Sequence, residues 1–166
     1  WTPSLPTDLA ERLKHATKHL HVTAERSGVM AAMLRGQLGR PAYIALLRNL
    51  AAIYDALEPA LAHHAAHPAL QALHDPALAR AGALHADLRR LHGPGWAVEV
   101  PLEPAAAAYA ARLAELDTSA PARLVAHAYV RYLGDLSGGQ LLGPLVERHF
   151  GLPPGEGTAF YRFGSP

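Results

Sequence analysis

The apolar residues repeat with the period of an α-helix along most of the chain. The clearest stripe steps by four and three: Tyr43, Leu47, Leu50, Tyr54, Leu57 and Leu61. Such steps place side chains on one face of a helix. Pro41 suits the start of this helix, and Pro59 must kink or break it. A similar stripe of Leu84, Leu88 and Leu91 predicts a helix over residues 76–92.

The same periodicity places helices at both ends of the chain. A first helix over residues 7–26 has a predicted core stripe of Leu9, Leu13, Ala16 and Leu20. A short helical piece over 29–37 follows. Later helices are predicted over 104–116, 121–140 and 141–150. In 121–140 the stripe consists of Val125, Tyr129, Tyr132 and Leu136. The one strand-like alternation, residues 96–101, is too short for a sheet and is interpreted as an extended loop.

Composition agrees with an all-α fold in one domain. The chain has 34 Ala and 27 Leu but only 7 Val and 2 Ile among 166 residues, and β-branched residues are those that strands favour. The absence of cysteine excludes disulfides and thiolate chemistry. A net charge of +1 argues against a nucleic-acid partner. No apolar run reaches the ~18 residues of a membrane span, so we expect a cytoplasmic protein.

Charged side chains line one flank of the first helix. Lys14, Lys18, His21 and Glu25 are spaced by four, three and four, and they flank the core stripe. A half-buried His with a carboxylate one turn away suits a tuned metal ligand, and the two ammonium groups suit the carboxylates of a flat cofactor. The alternative is an amphipathic helix with Lys–Glu pairs and a boundary His.

Two HxxxH spacings carry little evidence for zinc. They are formed by His15 with His19 and by His63 with His67. Neither pair has the glutamate of an HExxH motif, and the sequence offers no obvious third ligand. A zinc site is therefore not predicted.

Three glycines interrupt an otherwise helical segment near residue 135. Glycine inside a helix costs up to ~1 kcal/mol relative to alanine, so Gly134, Gly138 and Gly139 indicate a structural or functional demand. Gly134 and Gly138 lie one turn apart and leave one face as bare backbone. That face allows close approach of a second helix or of a flat ligand. Asp135 would lie beside such a ligand and could order water.

Four segments resemble motifs of the heme oxygenase family. The longest, residues 127–140 (HAYVRYLGDLSGGQ), is similar to the family signature. Residues 16–25 (ATKHLHVTAE), residues 52–58 (AIYDALE), and GEG at 155–157 followed by Ala159 and Phe160 resemble other family segments. The matches occur in family order over nearly the whole chain. The resemblance implies an all-α bundle with heme sandwiched between a proximal N-terminal helix and a glycine-kinked distal helix.

The resemblance also implies roles for individual residues. His21 matches the proximal ligand of the heme iron, and Glu25 matches the acceptor for its other ring nitrogen. Asp135 matches the distal aspartate that holds a water network. Tyr54 and Arg131 match other members of that network. Further catalytic matches are Gly134 and Gly138; further heme-binding matches are Lys14, Lys18, Tyr129, Gly139 and Met30, with Gln37 also beside the pocket.

The implied reaction makes heme both cofactor and substrate. Using O₂ and external electrons, it opens the ring to biliverdin and releases CO and Fe²⁺. A ferredoxin, flavodoxin or flavoprotein reductase would supply the electrons, and a biliverdin acceptor could follow. One alternative is a heme carrier or sensor without catalysis, although bare distal glycines and Asp135 favour the enzyme. Another is a helical interaction protein without heme.

The fit to the family departs at the C-terminal end. Family members continue with at least one more helix, which closes the pocket and contacts the propionates. Residues 1–166 are therefore expected to form a single heme oxygenase-like domain that lacks this helix.

Overall fold

The computed structural model describes residues 9–26, 28–71 and 73–164. Over these ranges the chain is α-helical and has no strand, which confirms the predicted all-α class. The helices are α1 (Leu9–Glu25), α2 (Gly28–Leu34), α3 (Arg40–His63), α4 (Ala81–Leu91), α5 (Trp96–Glu99), α6 (Pro104–Ser119) and α7 (Leu124–Phe150). Single 3-10 turns occupy Pro76–Leu78, Pro121–Arg123 and Ala159–Tyr161. No helix in this part of the chain is both long and apolar enough to cross a bilayer.

The chain divides into two compact units, Trp1–Leu38 and Gly39–Pro166. The prediction that residues 1–166 form one domain stays a prediction. In the first unit α1 packs against α2. The predicted core stripe of α1 is wrong for Ala16, which is exposed, and for Leu20, which is 68% exposed. The physical reason within this unit is that α2 has only seven residues and covers little of α1. The side chain of Leu9 lies outside the described part.

The core of the second unit is built around α3. All six residues of the predicted α3 stripe are buried, and α6, α4 and α7 pack against this helix. Each such side chain contributes roughly 1.5–3 kcal/mol by leaving water. Pro59 lies inside α3, which continues to His63, so the helix does not break there. The proline removes only the hydrogen bond that its missing N–H would make to residue 55, near the end of the helix.

Buried polar groups hold the 158–162 segment against α4. The Asp87 carboxylate accepts hydrogen bonds from the backbone N–H groups of Ala159 at 2.9 Å and Phe160 at 2.8 Å. Burial raises the pKa of Asp87 to about 6, although these two hydrogen bonds oppose the rise. Arg80 is 6% exposed and donates to four carbonyl oxygens, those of Ala77, Leu78, Phe160 and Arg162.

The GEG motif has a packing role at its second glycine. Gly157 has a φ of +77°, and a Cβ added there would lie 2.7 Å from Leu91 Cδ2. Its carbonyl accepts a hydrogen bond from the buried Tyr43 hydroxyl at 3.1 Å. Glycine is therefore required at residue 157 by both backbone conformation and space.

Three predicted element boundaries differ from the observed ones, and tertiary contacts explain two of them. Residues 96–101 are not an extended loop, because Trp96 is buried and the single turn α5 forms around it. The helix predicted over 76–92 is interrupted before Ala81, because Glu58 Oε1 accepts the backbone N–H groups of Arg80 at 2.5 Å and Ala81 at 3.1 Å and so begins α4. The piece predicted over 29–37 ends at Leu34.

The predicted ends of α6 and α7 also differ from the observed ones. α6 continues beyond residue 116 because the hydroxyls of Thr118 and Ser119 bond back to the Glu115 carbonyl and remain compatible with the helix. The segments 121–140 and 141–150 form the single helix α7 after one 3-10 turn. The predicted α7 stripe is buried only at Tyr132; the residues buried with it are Leu124, Ala128, Gly139, Leu142, Gly143 and Val146.

Candidate functional site

Helix α1 presents the predicted proximal residues along one flank. Lys14, Lys18, His21 and Glu25 all lie within α1 and are exposed. The His21 side chain is 67% exposed, so the expectation of a half-buried His is wrong; the short α2 does not cover this flank. His21 Nδ1 lies 3.6 Å from Glu25 Oε1, an ion-pair distance slightly longer than a hydrogen bond. The other ring nitrogen, Nε2, has no hydrogen-bond partner among the described residues.

The distal candidates in the second unit form one connected group. The Tyr54 hydroxyl, from α3, donates a hydrogen bond to Asp135 Oδ2 on α7. Arg131, one turn before Asp135, donates from Nη2 to Asp135 Oδ1 at 3.2 Å. The Asp135 side chain is 13% exposed and that of Arg131 is 24% exposed. The structure therefore brings Asp135 together with the two residues that the resemblance assigns to its network.

Burial controls the protonation of this group. Desolvation raises the pKa of Asp135 above its ordinary value, while the Arg131 charge and the Tyr54 hydrogen bond oppose the rise. Burial and the negative charge of Asp135 raise the pKa of Tyr54 far above its usual range. Tyr54 is thus a neutral donor at any physiological pH. Asp135 binds a proton more tightly than an exposed aspartate does.

A further polar pair lies near Arg131. The Tyr109 hydroxyl on α6 and His127 Nδ1 on α7 are 2.9 Å apart, and Tyr109 interacts electrostatically with Arg131. Arg131 Nε is buried and has no hydrogen-bond partner among the described residues, and such a donor suits a water or ligand oxygen. The sequence analysis missed this pair: His127 lies inside the signature-like run, but no sequence pattern links it to Tyr109.

The glycines of α7 divide between two sides of the helix. A Cβ added at Gly139 would lie 3.1 Å from the Tyr161 carbonyl oxygen, and one at Gly143 would lie 3.2 Å from Tyr161 Cβ. Within the described part of the chain, a Cβ added at Gly134 would meet no atom within 4 Å, and one at Gly138 would meet only the Leu142 side chain of the same helix. Gly139 therefore permits close packing of protein on protein. Gly134 and Gly138 leave bare backbone.

The bare side of α7 is also apolar. Val130 and Leu141 are 53% and 59% exposed, and they share a helix face with Gly134 because they lie four residues before it and seven residues after it. Leu133, which is 46% exposed, lies three residues after Val130 at the edge of that face. Large exposed apolar side chains that share a helix face indicate a surface for a ligand or for another protein. A flat apolar ligand suits a face that has glycine at its centre.

The remaining predicted residues are divided between the two units. Tyr129 on α7 and Met30 on α2 are each half-buried. Gln37 is exposed, and its Oε1 accepts a hydrogen bond from Arg35 Nε at 3.0 Å. His21, Met30 and Gln37 belong to the first unit, whereas Tyr129 and the Asp135 group belong to the second.

The sequence profile of the heme oxygenase family matches residues 7–165. The chain belongs to the heme oxygenase family. It is 43% identical over 162 residues to heme oxygenase 1 of Pongo abelii, covering 96% of this chain and 56% of that protein. It is 41% identical over 159 residues to heme oxygenase 2 of the cyanobacterium Synechocystis sp., covering 96% of this chain and 64% of that one.

Solved heme oxygenase structures share the fold. The crystal structure of Synechocystis heme oxygenase-1 in complex with heme superimposes with a TM-score of 0.88 at 39% identity, over 95% of this chain and 71% of that one. The structure of heme oxygenase from Leptospira interrogans superimposes with a TM-score of 0.88 at 34% identity, over 93% of this chain and 76% of that one. The chain spans 56% and 64% of the lengths of the Pongo and Synechocystis relatives.

Proposed function

We propose that this chain is a heme oxygenase, which uses O₂ and external electrons to open heme to biliverdin with release of CO and Fe²⁺. The observation that carries the proposal is the buried Tyr54–Asp135–Arg131 group beside the open glycine face of α7. A carrier or sensor needs a ligand for iron but has no need for a proton-holding group at that position. When bound, heme supplies both the iron that takes up O₂ and the ring that is oxidised.

The donor set on α1 fits heme. The imidazole of His21 is exposed and its Nε2 has no hydrogen-bond partner among the described residues, so it can ligate iron. Glu25 Oε1 lies 3.6 Å from His21 Nδ1, and a small side-chain rotation would let it accept that ring N–H. We assign Lys14 and Lys18 to the two propionates, because both ammonium groups lie on the same flank as His21. Tyr129 and Met30 are assigned to the edge of the bound heme.

The chain's distal residues hold and move a proton. Gly134 and Gly138 carry no side chain, so backbone can lie directly against the bound heme and leave space for O₂ on one side. Asp135, with its raised pKa, can hold an ordered water and pass a proton to it. Tyr54 remains neutral and fixes one carboxylate oxygen, while Arg131 fixes the other. Gly139 supports this face by letting α7 pack on Tyr161.

We also propose the cytoplasm as the site of action and a small redox protein as the electron donor. Ferredoxins, flavodoxins and flavoprotein reductases supply single electrons, and an acidic one suits the 13 arginines of this chain. A protein that accepts biliverdin would act after this chain has released the product.

Heme titration followed by reduction in air tests the function. We expect one equivalent of hemin to give a Soret band, and we expect that band to bleach as a biliverdin band grows after an electron donor is added. His21→Ala should weaken heme binding. Asp135→Ala should keep the Soret band and lower the biliverdin yield, since it removes the proton-holding group and leaves α1 intact.

The outcomes separate the two functions. A stable Soret band that never bleaches under any of the three donor types would establish the carrier or sensor. A chain that gives no Soret change with hemin would contradict both.

A further inference from the structure

Two histidines and an aspartate meet where α3 and α6 end. His63 is the last residue of α3, His64 follows it as the C-cap, and Asp117 lies in the last turn of α6. His63 Nδ1 is 3.2 Å and His64 Nε2 is 2.9 Å from the same oxygen, Asp117 Oδ1. One ligand atom from each residue lies within 4.8 Å of the other two.

The spacing of these atoms suits a small divalent cation. Zn²⁺ binds imidazole nitrogen and carboxylate oxygen at about 2.0–2.2 Å, which separates neighbouring ligand atoms by about 3.3 Å in a tetrahedral site. The observed separations from Asp117 Oδ1 are close to that value. The two imidazole rings lie 4.7 Å apart at 32°, and the three ligand atoms lie within 4.8 Å of one another.

The surroundings of the cluster leave room for water on one side. The His64 and Asp117 side chains are 22% and 25% exposed, whereas the His63 side chain is 69% exposed. Three protein ligands on a partly sheltered base, with water completing the coordination, are typical of an open zinc site. His64 Nε2 also lies 2.8 Å from the Asp117 carbonyl oxygen. On binding metal this nitrogen must present its lone pair, so the ring proton moves to Nδ1.

Other histidine–carboxylate pairs do not offer this arrangement. His85 pairs with Asp55 at 2.9 Å and His92 pairs with Glu99 at 3.0 Å, with one histidine in each pair. Among the described residues, the His63–His64–Asp117 group alone gathers three such ligands. His67, the partner of His63 in the HxxxH spacing, instead accepts the backbone N–H of Ala69 at its Nδ1.

We propose that His63, His64 and Asp117 form a binding site for Zn²⁺ that joins the C-terminal ends of α3 and α6. The site lies wholly within the second unit, and none of its residues is assigned to heme binding. The third ligand is 53 residues from His64 in sequence, which is why HxxxH spacing alone does not reveal it. The bound ion ties together two helices that already pack along their length.

Zinc titration of the metal-stripped chain, free of any histidine tag, tests the site. We expect His64→Ala and Asp117→Asn each to weaken one saturable site by about tenfold or more. His67→Ala is the matched control and should bind Zn²⁺ as the unchanged chain does. All variants keep the α1 histidines, so zinc binding by those histidines cannot account for a difference between variants.

Thermal unfolding gives a second readout. Zn²⁺ at about a hundredfold excess over Kd should raise the Tm of the unchanged chain and of His67→Ala by about 5 °C, and should not raise that of Asp117→Asn. His63→Ala, which changes an exposed side chain, replaces Asp117→Asn if the latter folds poorly. The proposal is overturned if no saturable site is found, if His64→Ala binds zinc like the unchanged chain, or if His67→Ala loses as much affinity.

Discussion

The Tyr54 hydroxyl donates a hydrogen bond to the Asp135 carboxylate across 81 residues of sequence. This bond joins the central helix α3 to the glycine-bearing helix α7 and fixes one oxygen of the residue to which we assign proton transfer. Because Tyr54 is fully buried, the carboxylate has little freedom to turn.

Tyr54→Phe removes that bond and keeps the ring. We expect heme affinity to change by less than about threefold and the rate of biliverdin formation to fall by about tenfold to a hundredfold, since a misplaced general acid loses most of its contribution. The measurements are a hemin titration and a single-turnover rate. Tyr132→Phe is the matched control, because no hydrogen bond from its hydroxyl to a described residue is found; a Tyr132→Phe rate as low as that of Tyr54→Phe would contradict the role.

Alanine at Gly134 and at Gly139 should act in opposite directions on stability. Gly134→Ala adds a methyl group into open space, so helix propensity should raise the free energy of unfolding by about 0.5–1 kcal/mol. Gly139→Ala places a Cβ 3.1 Å from the Tyr161 carbonyl oxygen. This change should lower the free energy of unfolding by about 1–3 kcal/mol. Urea unfolding of the heme-free chain measures both.

Gly134→Ala should change the activity in the direction opposite to its effect on stability. Gly134→Ala should be the more stable protein and yet release less biliverdin per heme, because the methyl group occupies the face assigned to heme and O₂. If Gly134→Ala retains full activity, the assignment of this face is wrong.

Asp87 should make stability depend on pH. Its pKa is raised from 3.8 to about 6 by burial, so the folded chain holds this proton more tightly than the unfolded chain does. The resulting stabilisation is present below pH 4 and is lost as the pH rises past 6, a change of up to about 3 kcal/mol. Asp87→Asn does not titrate, so its destabilisation relative to the unchanged chain should shrink between pH 4 and pH 7. A constant difference over that range would contradict the prediction.

Gly157→Ala should be among the more destabilising single changes. The new Cβ would lie 2.7 Å from Leu91 Cδ2 at a φ of +77°, so both overpacking and backbone strain oppose it; we expect a loss of about 2–4 kcal/mol. Gly151→Ala also has positive φ but meets nothing within 4 Å. The Gly151→Ala variant therefore reports the effect of backbone strain alone. Its free energy of unfolding should fall by less in the same denaturant experiment.

Helix α3 could be predicted from sequence because its signal is long and local. Six apolar residues at helical spacing report burial directly, and all six are buried. The turn α5 could not be predicted, because it depends on a distant residue: Arg48 lies over the Trp96 ring at 5.4 Å and donates to the Ala97 carbonyl at 3.4 Å. The sequence of residues 96–99 alone carries no information about that contact.

The candidate site also contains residues that the sequence could predict and residues whose roles it could not. Residues of the heme oxygenase-like motifs could be named from sequence, since each motif is contiguous. The different roles of Gly134 and Gly139 could not, because they depend on where Tyr161 packs. The partners His127–Tyr109 and His64–Asp117 each join α-helical segments that are distant in sequence. Pattern analysis along one helix cannot find them.

The four carbonyl oxygens held by Arg80 limit where this protein can be shortened. Two of them, from Phe160 and Arg162, belong to the segment after α7. Cleavage after Gly157 would remove both carbonyl oxygens that accept from Arg80 Nη1. It would also remove the two backbone N–H groups that donate to Asp87. A minimal fragment that begins at α3 must therefore extend at least to Arg162, even though that last stretch contributes only one short helical turn.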